Sequence, residues 1–189
     1  MRIYVVDNGG QWTHREWRVL RDIGVDTKIV PNTAEVSSIA DAAGVVLSGG
    51  APRISSEIKK LGNVGTYIDK LDVPVLGICV GHQYLAMHFG GDAGPADIPA
   101  YGKNEIHIDT PCELFEGIPE RFTAWESHND EVKVVPGDFE VLAHSESCRV
   151  EAMRHKKRRI YGVQFHPEVE HTEFGIQIFQ NFVKICSNR

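Results

Sequence analysis

Three times in its first half the chain runs a short apolar segment into a turn of glycines and small or reactive residues. Residues 3–6 lead into Asp7-Asn8-Gly9-Gly10, residues 44–47 into Ser48-Gly49-Gly50, and residues 73–78 into Cys79-Val80-Gly81. Apolar runs this short and this rich in Val and Ile read as strands buried on both faces. Helical patterns separate them. Trp17, Leu20 and Ile23 share one stripe of a helix over 12–23, a short helix is expected over 34–39, and a longer one over 56–71. A further strand over 25–30 follows Gly24, which closes the first helix. Strands alternating with helices predict a parallel sheet with right-handed crossovers and a site at the carboxyl ends of its strands. All three turns fall at that edge.

From Gly91 the rhythm changes to short strand candidates over 105–109, 122–125, 132–134, 139–145, 150–154 and 160–163, which predict a mainly antiparallel region. The chain closes on a helix over 172–186, where Phe174, Ile178, Phe182 and Ile185 recur at helical spacing and can cover the sheet. No repeat, low-complexity tract or Pro/Ser/Gly-rich linker divides the 189 residues, so one domain over 1–189 is expected. The predicted class is α/β: an open, mostly parallel sheet flanked by helices, with an additional antiparallel β region.

The third turn carries a nucleophile. In Gly77-Ile78-Cys79-Val80-Gly81 a buried strand gives way to a helical pattern beginning near Gln83, and the flanking glycines have the spacing of a nucleophile elbow. The amide of Val80 then points towards whatever Cys79 attacks. A helix N-terminus favours negative charge and therefore the thiolate, the reactive form of cysteine. A buried structural cysteine is the competing reading, and glycines on both sides favour the elbow over it.

A cysteine nucleophile needs a base and a group to orient that base. Gly162-Val163-Gln164-Phe165-His166-Pro167-Glu168 offers both, since Pro167 stops the strand after His166 and Glu168 can accept a proton from one ring nitrogen while the other faces Cys79. Ser48-Gly49-Gly50 lets backbone amides approach a ligand closely, and with the amide of Val80 they can form an oxyanion hole. Taken alone, that stretch is equally an ordinary turn.

Composition narrows the partners. A formal net charge of -6 argues against a nucleic-acid or membrane surface, and His155-Lys156-Lys157-Arg158-Arg159, between two strand candidates, reads as a solvated hairpin turn. Cys79, Cys112, Cys148 and Cys186 form no C-x-x-C pair, and the histidines form neither H-x-x-x-H nor H-E-x-x-H, so no metal site is expected. No signal peptide precedes the first strand, and no apolar run approaches the ~20 residues that span a bilayer. A soluble, cytoplasmic chain is expected.

Together, Ser48-Gly49-Gly50, the Cys79 elbow with His82-Gln83, and the Gly162 to Glu168 stretch resemble the class I (triad-type) glutamine amidotransferases, in order and in approximate spacing over nearly the whole chain. The resemblance implies a flavodoxin-like fold and a catalytic triad of Cys79, His166 and Glu168 acting on glutamine through a glutamyl thioester. It also implies oxyanion donation by the amides of Gly50 and Val80 and glutamine contacts from Gly49 and Gln83. Asp7-Asn8-Gly9-Gly10-Gln11, Ser127-His128-Asn129-Asp130-Glu131-Val132 and Ile160-Tyr161-Gly162 with His171-Thr172 look most like the glutaminase parts of GMP synthetases, in particular the stand-alone glutaminase subunits of the archaeal type. In such a system Ser127, His128, Asn129 and Asp130 form a loop around the glutamine amino and carboxylate groups. Asn129 stands where glycine is frequent and is expected to tolerate the same positive φ. The chain has neither the Ser-Gly-Gly-Val-Asp-Ser type loop of an ATP pyrophosphatase nor a G-x-x-x-x-G-K-[ST] loop, so no cofactor is expected in it, and the resemblance assigns ATP, magnesium and XMP to a separate ATP-pyrophosphatase subunit. Two readings compete: a glutaminase for another acceptor, as in anthranilate or carbamoyl phosphate synthesis, and a non-catalytic flavodoxin-like regulatory module.

Overall fold

In the computed structural model, which describes residues 1–188, the alternation of the first half becomes the parallel part of one sheet. In chain order the elements are β1 (Arg2–Asp7), α1 (Thr13–Asp22), β2 (Asp26–Pro31), β3 (Gly44–Leu47), α2 (Ile54–Glu57), α3 (Val64–Lys70), β4 (Val75–Ile78) and α4 (Val80–His88). They continue as β5 (Asp92–Ile108), β6 (Arg121–Val134), β7 (Phe139–His144), β8 (Ala152–His155), β9 (Ile160–Val163) and α5 (Gly175–Ser187). Among the described residues, one nine-stranded sheet holds every strand, in the order β2-β1-β3-β4-β9-β8-β7-β5-β6. The strands from β2 to β9 in that order run parallel, and β8, β7, β5 and β6 extend the sheet with antiparallel pairs.

The two-residue period of the strands divides the core between the faces of the sheet. Ile3 and Val5 of β1 pack in one cluster with Leu20 of α1 and Ile178 and Phe182 of α5. Tyr4 and Val6 pack in the other, with Val64 and Ile68 of α3 and Leu85 of α4. The helices therefore pin the carboxyl ends of β1, β3, β4 and β9 side by side.

The glycines around Cys79 are required by this packing. A Cβ on Gly81 would lie 2.5 Å from the carbonyl oxygen of Leu47, and one on Gly77 would lie 2.7 Å from the backbone of Gly81. Helix α4 rests directly on β3 and β4, with no room for a methyl group. Gly81→Ala is expected to destabilise the fold by about 3 kcal/mol through overpacking, read as a lower urea midpoint at unchanged m-value. A midpoint equal to wild type would contradict this account of the glycine spacing.

Several sequence expectations shift in the structure. The short helix over 34–39 is a 3₁₀ turn over Val36–Ile39. The helix over 56–71 is broken into α2, a 3₁₀ turn and α3, because Gly62 takes φ 55° and the amide of Asn63 donates to the carbonyl of Asn32. The largest difference lies in β5 and β6, which form one long antiparallel ribbon where the sequence predicts only short strands at 105–109, 122–125 and 132–134. Gly94, Pro95, Pro99 and Gly102 interrupt the β pattern of β5, and the pairing slips between Pro95 and Ala100 to absorb them. Ser127-His128-Asn129-Asp130, expected as a loop, consequently lies within β6. Asn129 is not at positive φ, so the conformational tolerance expected of it is not used.

Candidate active site

Cys79 occupies the single residue between β4 and α4, at φ 52° and ψ −107°, a region L residues seldom adopt. Its amide donates to the carbonyl of Val163 and its carbonyl accepts the amide of Gln83 at 3.0 Å, so the last sheet bond and the first helix bond close on one residue. That clamp maintains the strained backbone. Cys79 is 6% exposed, and its sulfur lies 3.8 Å from the carbonyl oxygen of Ser127 on β6.

His166 is held from three sides. Its amide donates to the carbonyl of Trp125, its carbonyl accepts the Thr172 hydroxyl at 2.7 Å, and the Trp12 ring packs edge-on against its imidazole at 4.5 Å. Nδ1–H donates to Glu168 Oε1 at 2.7 Å, while Nε2 is buried with no hydrogen-bond partner among the described residues. Burial alone would push the imidazole pKa down. The carboxylate of Glu168, reinforced by the Cys79 sulfur, outweighs it and holds His166 well above the ordinary histidine value. The proton thus rests on the ring beside Cys79.

The Gly49-Gly50 turn borders both groups. A Cβ on Gly49 would lie 3.1 Å from His166 Cε1 and 3.6 Å from Cys79 Cβ, and one on Gly50 would lie 2.3 Å from the carbonyl oxygen of Asn8. Asn8 fixes this turn by donating its side-chain amide to the Ser48 carbonyl at 2.9 Å and its backbone amide to the Ser48 hydroxyl at 2.9 Å. The amide of Gly49 donates to Glu16 Oε1 at 3.3 Å. The amides of Gly50 and Val80 have no acceptor among the described residues. Those two donors, rather than Gly49, are available for an oxyanion.

These groups open on a cavity of about 450 Å³, which Gln83 and the β6 stretch from Ser127 to Asp130 also line. Gln83 braces that stretch: its side-chain amide donates to the Asp130 carbonyl at 2.7 Å and to Gln164 Oε1 at 3.1 Å. The Asp130 carboxylate is occupied by Arg53 and by the backbone and hydroxyl of Ser55. His128 bonds the Asp130 carbonyl through Nδ1 at 2.9 Å, and its Nε2 lies 3.0 Å from Glu126 Oε2. Burial lowers the His128 pKa, leaving it neutral.

His82, close to Cys79 in sequence, belongs to the packing instead. It is fully buried between the Val150 carbonyl and the backbone of Gly162, and burial drives its pKa down to about 3. Burial also raises the thiols of Cys148 and Cys186, the latter to about 12, which suits packing roles. The basic residues 156–159 form the turn between β8 and β9.

Three carboxyl groups near the site are not singled out by any sequence motif: Glu16, Glu126 and Glu151. The signal was present in the periodicity. Thr13, Glu16 and Leu20 are the buried positions of α1, so Glu16 sits on the core-facing stripe, and Glu126 occupies a buried position in the alternation of β6. Burial pushes Glu126 up to about 7, and it raises Glu151 as well, with the proximity of Glu126 adding to the shift.

Among the described residues, no three or more His, Cys, Asp and Glu side chains are arranged to hold a metal ion, and no helix is long and apolar enough to cross a membrane.

The family model described as glutamine amidotransferase class-I matches residues 4–186. A protein of Thermoplasma volcanium named as one subunit of glutamine-hydrolyzing GMP synthase is 55% identical over 186 residues, covering 98% of this chain and 92% of that protein. The protein of the same name from Methanocaldococcus jannaschii is 48% identical, with 97% of each chain covered. Among solved structures, a protein of Thermoplasma acidophilum described as a GMP synthase subunit superposes with a TM-score of 0.95 at 54% identity, covering 99% of this chain and 94% of that one. A glutamine amidotransferase from Thermotoga maritima, only 18% identical, shares the fold with a TM-score of 0.75 over 97% of this chain and 81% of its own.

Proposed function

The chain belongs to the class-I glutamine amidotransferases, and from that membership we propose that it is the glutaminase subunit of a two-subunit GMP synthase acting in the cytoplasm. The observation that carries the chemistry is His166, bonded to Glu168 at 2.7 Å through one nitrogen and left free at the other beside Cys79.

These positions support the following reaction. The Cys79 thiolate attacks the side-chain carbonyl carbon of glutamine, and the amides of Gly50 and Val80 receive the oxyanion. His166 gives its Nε2 proton to the departing nitrogen, which leaves as ammonia when the C–N bond breaks, and a glutamyl thioester remains on Cys79. His166, now neutral, takes a proton from water as the water attacks the thioester. The C–S bond breaks, glutamate is released and the thiolate–imidazolium pair is restored. Glu168 keeps the ring oriented and stabilises its charge in both halves. Ser127 to Asp130, braced by Gln83, forms the wall against which the glutamine backbone groups rest.

Relatives named as subunits of glutamine-hydrolyzing GMP synthase support GMP synthesis as the destination of the ammonia. Ammonia passes to a separate ATP-pyrophosphatase subunit, which holds ATP and magnesium and aminates XMP to GMP. The test is to supply amide-¹⁵N glutamine to this chain together with the synthetase subunit from the same cell, ATP, magnesium and XMP, in the presence of excess unlabelled ammonia at a pH that leaves it mostly protonated. The label is expected in the new amino group of GMP. Dilution of that label to the bulk value would contradict direct delivery, and no GMP formation would reopen the acceptor.

A further inference from the structure

Glu16 is 1% exposed, projects from α1 to the wall of the catalytic cavity and takes no part in the reaction just derived. Its Oε1 accepts the Gly49 amide at 3.3 Å, and its Oε2 is buried without a partner among the described residues. Glu168 borders the same cavity and likewise has a buried, unpartnered Oε2. Two carboxylates in one desolvated space do not both ionise readily. Glu168 is the one paired with His166, so it carries the charge and Glu16 carries the proton.

We propose that Glu16 is a positioning residue for the glutaminase reaction: a neutral carboxyl that anchors Gly49 and so holds the neighbouring Gly50 amide towards the oxyanion. This rests on the glutaminase reading above. Occupying the Gly49 amide matters because the turn has two adjacent N–H groups and only one belongs in the oxyanion hole. With Gly49 tied to α1, the peptide cannot rotate to present the wrong donor, and Gly50 remains the free one. Neutrality matters because a second negative charge beside Glu168 would oppose release of the His166 proton to the leaving nitrogen. The titratable groups facing Glu16 are Glu168 and His166 from the segment after β9, and Asp7 at the end of β1. Burial and Glu168 together keep its pKa well above the carboxylate range.

The test uses Glu16→Gln, which keeps the acceptor and the neutral state, and Glu16→Leu, which keeps the bulk but not the acceptor. Glutamine hydrolysis is measured with the synthetase subunit present, alongside Tm and the pH profile of Cys79 alkylation by a neutral chloroacetamide. The Gln variant is expected within about threefold of wild type in kcat, with an unshifted alkylation profile. The Leu variant is expected to melt near wild type yet lose roughly tenfold to a hundredfold in kcat at similar KM, as a misplaced oxyanion donor does. A Leu variant with wild-type kcat, or a Gln variant as impaired as Leu or shifted in its profile, overturns the proposal. If the Leu variant does not fold, the Gln variant decides by the same two readouts. Hydrolysis by wild type reports separately on the glutaminase reading, whereas the profile comparison follows Cys79 and His166 whatever the substrate.

Discussion

Cys79→Ala is expected to abolish glutamine hydrolysis, with kcat falling by roughly 10⁴-fold or more, while the protein stays folded. Both parts follow from the elbow. No other thiol among the described residues borders the cavity, and His82, the histidine nearest in sequence, is locked between Val150 and Gly162 with its pKa driven down to about 3. A substitute nucleophile is therefore not at hand. The backbone hydrogen bonds that clamp residue 79 involve its amide and carbonyl, so alanine keeps them, although at φ 52° it inherits the same strain. Cys79→Gly relieves that strain and is expected to be the more stable of the two inactive variants, by up to about 1 kcal/mol. Comparison of turnover with thermal melts checks both statements, and substantial hydrolysis by either variant would remove Cys79 from the mechanism.

Glu168→Gln is expected to lower kcat by about a thousandfold, because the neutral amide no longer stabilises the imidazolium and can favour the wrong ring tautomer. The same substitution has a signature in stability. The folded pKa of His166 lies above its unfolded value of about 6.5, so the folded state binds the proton more tightly. The stabilisation is fully present below the unfolded pKa and is lost as pH rises through the raised folded pKa. The Tm gap between wild type and Glu168→Gln should therefore narrow as pH is raised above neutrality. A gap that widens with pH would mean that the histidine is not held protonated by Glu168.

Much of this site is legible in the sequence because its parts are local. Gly77-x-Cys79-x-Gly81 encodes both a tight turn and the close contact of α4 with the sheet, and each requirement acts within a few residues. His166, Pro167 and Glu168 are equally contiguous. What stays hidden depends on long-range pairing. The Ser127 to Asp130 stretch looks like a polar turn, yet it is extended because β5 lies beside it, and the glycines and prolines of β5 mask that strand's own pattern. Glu16 is similar: only the approach of the Gly49 turn to α1 gives its carboxyl a partner. The break at Gly62 in the helical region over 56–71 is another such case, since the contact that favours it comes from Asn32 on a distant turn.

Acylation of Cys79 by the side chain of glutamine is the step on which the proposed reaction turns. It is tested most directly by mixing the wild-type chain and its synthetase subunit with glutamine, ATP, magnesium and XMP, quenching in acid during turnover, and weighing the peptides by mass spectrometry. A peptide one glutamyl group heavier is expected, with the addition on Cys79 and removable by hydroxylamine. Sustained turnover in which label from glutamine accumulates on another residue, with Cys79 unmodified and its alanine variant still active, would contradict it.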